Sequence, residues 1–162
     1  MKKIILSLIL LSANFVWACQ DKAHSQFDFW LGHWDVYSRD GRLVGENKIV
    51  KTHGGCVITE HYVSAQKYQG ESLNIYDATR QVWHQTWVDN SGTLLQLDGG
   101  YNGQAMILEG TTIDKSGNKI QQRIKWTPQK DGTVHQHWQR TTDKGQHWED
   151  VFYGVYIKKK SN

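Results

Sequence analysis

The chain has 162 residues, a formal charge of +3, 8 Trp, 7 Tyr, 15 Gly, one Pro and two Cys. That length suits one domain with one core. The weak charge offers no broad basic face of the kind nucleic-acid binding needs, and no apolar run after the first 18 residues could serve as a membrane span.

Taken in chain order, Lys2 and Lys3 precede a mostly apolar run over 4–16, and Val16-Trp17-Ala18 follows as a small-x-small cleavage site. This is the pattern of a secretory signal peptide over 1–18. It predicts an exported protein, periplasmic or secreted. Removal of 1–18 leaves 144 residues (162 − 18) as a single barrel domain over 19–162, and loss of Lys2 and Lys3 lowers the charge to +1.

Cys19 and Cys56 are the two cysteines. An even pair in an oxidising compartment predicts a disulfide that pins the new N-terminus to a later strand. The alternative is a lipid anchor on Cys19 in the cell envelope, because Val16-Trp17-Ala18-Cys19 is close to a lipobox; the bulk of Trp17 counts against it.

Residues 26–31 predict one short helical turn that plugs a barrel end, with Phe27, Phe29, Trp30 and Trp34 as plug and floor. After it, Gly-, Asn- and Asp-containing turns recur about every ten residues, the spacing of an all-β barrel or sandwich. Asn90-Ser91-Gly92, Ser116-Gly117-Asn118 and Asp131-Gly132 are examples. Between the turns lie ten candidate strands: 34–39, 43–51, 56–64, 70–76, 81–88, 93–98, 104–113, 119–127, 133–141 and 147–157. Each is rich in β-branched or aromatic residues. Closure removes exposed edges, so the predicted fold is all-β, a single antiparallel up-and-down barrel of about ten strands, with a two-sheet sandwich as the alternative.

Gly32-x-Trp34 after a short aromatic segment resembles the opening of the calycin group: lipocalins, fatty-acid-binding proteins and nitrobindins. Several segments resemble, more specifically, a family of bacterial exported proteins of unknown function. They are Phe27 to Val36, Gly55-Cys56-x-Ile58-x-Glu60, Gly70-x-Ser72-x-Asn74-x-Tyr76 and Trp83-x-Gln85-x-Trp87-Val88-Asp89. Asp131-Gly132 through Trp138, then Asp143-x-Gly145-x-x-Trp148, extend the likeness over nearly all of the mature chain. The resemblance implies a lipocalin-like barrel, with Lys158 where lipocalins often set an arginine over the first-strand tryptophan. A second lipocalin motif is lacking, and the resemblance names no ligand.

Side chains alternate faces along a strand, which sorts each segment into two sets. The predicted cavity set is Glu60 and Tyr62 on one strand, Ser72 and Asn74 on the next, and Trp83, Gln85 and Trp87 on the third. Met106, Arg123, Gln136 and Trp138 join it from later strands. Large rings with a few placed polar groups are how small-molecule pockets are lined. Glu60 is the sharpest candidate: buried among rings its proton affinity would rise, which suits a general acid or base, a ligand anchor, or an ion pair with Arg123.

His135 and His137 stand two apart on one strand face, but no His or Cys pattern completes a metal site around them. By analogy with nitrobindins, His84, His135 and His137 are the candidates for a haem ligand, and nothing in the spacing selects one. The reading therefore assigns no metal and no cofactor. There is no Gly-x-Ser-x-Gly elbow and no glycine-rich loop opening a helix, so nucleophilic-serine and phosphate-cradle chemistries find no support. The expected function is binding of a small, partly apolar molecule in the barrel. The alternatives are a hydrolase or isomerase using Glu60 in the same cavity, and a structural barrel filled by its own rings.

Overall fold

The computed structural model describes residues 19–160; the signal-peptide reading over 1–18 lies outside the described residues. Ten strands follow one another: β1 (Gly32–Tyr37), β2 (Leu43–Thr52), β3 (Val57–Ser64), β4 (Gln69–Asp77), β5 (Val82–Asp89), β6 (Leu94–Tyr101), β7 (Met106–Ile113), β8 (Lys119–Pro128), β9 (Val134–Thr141) and β10 (Glu149–Lys158). Each coincides with a predicted strand to within three residues at either end. Every strand pairs antiparallel with its neighbours in sequence, and β1 pairs with β10, so the sheet closes into an up-and-down barrel of lipocalin-like type. The sandwich alternative falls with that closure, which leaves no free edge.

The alternation in the sequence explains the inside and the outside. On β2 the buried residues are Gly45, Asn47 and Ile49, with exposed Glu46 and Lys48 between them. On β8 they are Gln122, Ile124 and Trp126, with Lys125 exposed. Tight hairpins join the strands where glycine supplies the left-handed backbone, as at Gly117 (φ 86°) and Gly132 (φ 83°). β10 slips register against β9 between Asp150 and Phe152, a bulge at Val151.

One end of the barrel is stoppered by the segment before β1. It makes two 3-10 turns, Ala23–Ser25 and Asp28–Trp30. Phe27, Trp30 and Trp34 are fully buried. Phe27 stacks on Trp30 at 4.8 Å and meets Trp83 and Trp126 edge-on at 5.6 and 5.2 Å. Trp34 donates its indole N–H to the Trp30 carbonyl at 2.9 Å, which ties the first strand to the stopper. Rings of this size each remove ~150–250 Å² from water, so at ~25 cal/mol per Å² each contributes about 4–6 kcal/mol of gross burial.

Two links hold the stopper from outside. Cys19 and Cys56 form a disulfide with Cα atoms 5.0 Å apart, which occupies the sulfur that a lipid anchor would require. Lys51 pairs with Asp28 at 2.8 Å. Lys158 lies with its ammonium 5.2 Å from the centre of the Trp34 ring, closing the same end. Among the described residues no helix is long and apolar enough to cross a membrane.

Candidate ligand-binding site

Opposite the stopper the barrel is hollow. A cavity of about 240 Å³ opens there, between the ends of the strands. Its floor is Glu60, Gln85, Gln136, Ile124 and Tyr156; Tyr62, Tyr68, Leu95, Trp87, Trp138, Val151 and Phe152 rise around it. Antiparallel register places these groups together. Glu60 on β3 stands opposite Ser72 on β4, which stands opposite Trp87 on β5.

The rings lie back against the wall because glycines make room for them. A Cβ on Gly70 would sit 2.2 Å from the Trp87 ring, and one on Gly154 would sit 2.8 Å from Phe152. Both glycines face inward on their strands. Without them the two rings would be pushed toward the barrel axis, into the space that is now open.

Glu60 is 5% exposed and accepts one fixed hydrogen bond on each oxygen. Asn47 Nδ2 donates to Oε1 at 2.7 Å, and the Ser72 hydroxyl donates to Oε2 at 2.6 Å. Behind Ser72 the donors run in series: Gln85 Nε2 gives to Asn74 Oδ1 at 2.9 Å, and Asn74 Nδ2 gives to Ser72 Oγ at 2.8 Å. Asn47 Nδ2 also reaches the Tyr156 hydroxyl at 3.3 Å, and that hydroxyl donates to Gln136 Oε1. Asn47 Oδ1 is buried with no hydrogen-bond partner.

Burial pushes the Glu60 carboxyl up to about 7, against the bonds from Ser72 and Asn47 that favour its charged form. Burial raises Tyr62 to about 12 and Tyr156 well above the usual tyrosine range, with the Glu60 charge adding to both. Among the described residues no Lys, Arg or His lines the cavity.

The predicted site residues other than Arg123 thus fall into three groups. Glu60, Tyr62, Gln85, Trp87, Gln136 and Trp138 line the cavity. Ser72 and Asn74 are buried beneath it and hold Glu60. Trp83 and Met106 are fully buried at the stoppered end: Trp83 packs on Phe27 and donates to Gln26 at 3.2 Å. They belong to the core.

Arg123 is a correction. Ile124 and Gln122 point inward, so Arg123 points out. It pairs with Glu109 at 2.5 Å and lies 4.0 Å over the Trp148 ring on the outer surface, leaving Glu60 without the expected ion-pair partner.

The three haem-ligand candidates also lie on the outer face, away from the cavity. His84 is bound to Asp98 at 2.8 Å, His137 to Asp150 at 2.6 Å and His135 to the Tyr153 hydroxyl at 3.1 Å. Among the described residues no group of three or more His, Cys, Asp or Glu is placed to hold a metal ion.

The sequence reading missed Asn47, Tyr68, Leu95, Ile124, Val151, Phe152 and Tyr156. Asn47 was open to discovery, since charged Glu46 and Lys48 on either side mark its face as the inner one. Tyr68 comes from the β3–β4 turn, where alternation carries no information.

A scan against protein-family models gives no match, and no curated protein sequence matches the chain.

Proposed function

We propose that this protein is an exported barrel that binds a small, partly apolar molecule in the open end of its lumen. The observation that carries the proposal is the 240 Å³ cavity itself, walled by rings and floored by polar groups. A barrel of this size can be packed solid, and its stoppered end is; the open end is not. The volume lies below the ~300–1,000 Å³ of drug-sized pockets, which favours a compact ligand. The disulfide suits an oxidising compartment, in keeping with the leader over 1–18. The motif resemblance to the exported bacterial family rests on the quoted residues alone and is part of the same proposal.

Calorimetric titration of the mature chain with indole and naphthalene tests this. Saturable one-to-one binding is expected, and Ile124→Trp, which fills the lumen, should abolish it. Absence of a saturable response, or a response unchanged by Ile124→Trp, overturns the proposal.

A second reading is favoured by one observation. A carboxyl pushed to about 7 sits where a general acid or base works best, and its two fixed donors orient it. If the cavity is catalytic, Glu60→Gln removes turnover of a demonstrated substrate while binding persists. Unchanged turnover sinks that role.

A further inference from the structure

The chemistry of the lumen is one-sided. Its walls are rich in ring N–H and O–H donors, yet each donor is committed to the protein. The Trp87 indole and the Tyr68 hydroxyl both give to Asp89 Oδ2, at 3.1 and 2.7 Å. The Trp138 indole gives to Gln122 Oε1 at 2.8 Å, and the Tyr62 hydroxyl to the Val44 carbonyl at 3.3 Å. Tyr156 gives to Gln136. What the rings leave for a ligand is their π faces, which carry negative potential and attract cations.

The floor has the same sign. Glu60 is the one acidic or basic side chain among the residues that line the cavity, and no cation pairs with it among the described residues. The series Gln85, Asn74, Ser72 points every donor toward it; such a chain polarises in one direction and favours negative charge at its end. Asn47, which holds Oε1, keeps its own Oδ1 buried and without a donor. That is a second acceptor, one amide width from the carboxylate. At the rim, the Asp89 carboxylate stands behind Tyr68 and Trp87. A buried carboxylate that has hydrogen-bond donors but no counter-charge costs free energy until a cation arrives.

We infer that the ligand is a small organic cation, a protonated amine on an apolar body, with Glu60 as its counter-ion and the ring faces as its walls. This rests on the binding reading above and narrows it to a ligand class. An anion would find no positive charge, and of the lining side chains only the Gln136 amide keeps an uncommitted donor. A neutral molecule would leave the Glu60 charge without a counter-ion.

The groups that face Glu60 are few. β3 and β10 bring Tyr62 and Tyr156, whose protons are held far above neutrality; β2, β4, β5 and β9 bring Asn47, Ser72, Gln85 and Gln136, which do not titrate. Amine binding therefore couples to one proton, that of Glu60. Near and below about 7, the incoming ammonium displaces it to solvent. Selectivity for amine over alcohol should weaken about tenfold per pH unit below that point.

The test uses three ligands of one shape, 4-phenylbutylamine, 4-phenylbutan-1-ol and 4-phenylbutyrate, titrated calorimetrically into the mature protein above and below neutrality. At alkaline pH the amine should bind roughly tenfold or more tightly than the alcohol, and the carboxylate weakest. Glu60→Gln should erase the amine's advantage over the alcohol. Repeating the acid-side titration in buffers of different ionisation enthalpy should show close to one proton released per amine bound. Should Glu60→Gln fail to fold, that proton count on the wild-type protein carries the test. Equal binding of amine and alcohol, tightest binding of the carboxylate, or no proton release overturns the cation assignment while the binding reading stands. Binding of none of the three overturns both.

Discussion

At the stoppered end Phe27 lies on Trp30 and against Trp83 and Trp126, with every ring fully buried or nearly so. At the open end Tyr62, Tyr68, Trp87, Trp138 and Phe152 stand around empty volume, and several are only partly buried. Both ends are equally aromatic. Among the described residues they differ because a chain segment enters one end and none enters the other, and because inward glycines let the open-end rings lie against the wall. Aromatic content alone therefore says nothing about whether a barrel holds a ligand. What matters is whether the rings meet one another or meet space.

Removing one ring from the packed end should have the largest effect. Phe27→Ala leaves a hole bounded by four rings and should cost about 3–5 kcal/mol, read as a lowered urea midpoint with unchanged slope. Next is the staple on the same end. Reduction of Cys19–Cys56, or Cys19→Ser, frees a loop with a sequence separation of 37 and should cost about 3–4 kcal/mol. Affinity for an open-end probe should be preserved in the fraction that stays folded; loss of affinity in step with stability would mean the two ends are not independent.

The third effect belongs to the open end and depends on pH. Burial raises the Glu60 carboxyl from 4.5 to about 7, so the folded protein holds that proton more tightly than the unfolded chain does. The resulting stability is complete below 4.5 and disappears as pH rises through about 7. Relative to Glu60→Gln, the wild-type protein should lose on the order of 3 kcal/mol across that window, measured by urea unfolding at a series of pH values. A wild-type curve parallel to that of Glu60→Gln would contradict the burial of the charge. The smallest effect is the matching ring deletion at the open end. Phe152 already borders empty space, so Phe152→Ala should cost only about 1–2 kcal/mol. Equal losses from Phe27→Ala and Phe152→Ala would erase the contrast between the ends.

Much of this was legible in the residues, and what was not had local causes. All ten strands stood out because turn glycines and β-branched alternation are short-range signals, and the stopper stood out because Phe27, Phe29 and Trp30 crowd into four positions. Gln85, Trp87 and Trp138 could be assigned to the lumen from alternation alone. Depth along the barrel could not, which is why Trp83 and Met106 were grouped with the cavity although they belong to the core: alternation gives a face and not a level. Phe152 and Tyr156 share the inward face of β10 with Gly154, beyond the bulge at Val151, on a strand for which no face was assigned from the sequence. Arg123 belongs to the predicted cavity set although Ile124 and Trp126 mark its position as outward. The donors that do meet Glu60 are the neutral side chains of Asn47 and Ser72.

Gly70 and Gly154 have a further consequence. The bore at the open end is set by two positions that contribute no atoms to it. A single methyl at either would swing an indole or a phenyl across the lumen and narrow it, leaving Glu60 and its donors untouched. Calibre and charge can therefore change separately in this barrel. The size of the guest is governed from the wall, through what is missing there, and its sign is governed from the floor.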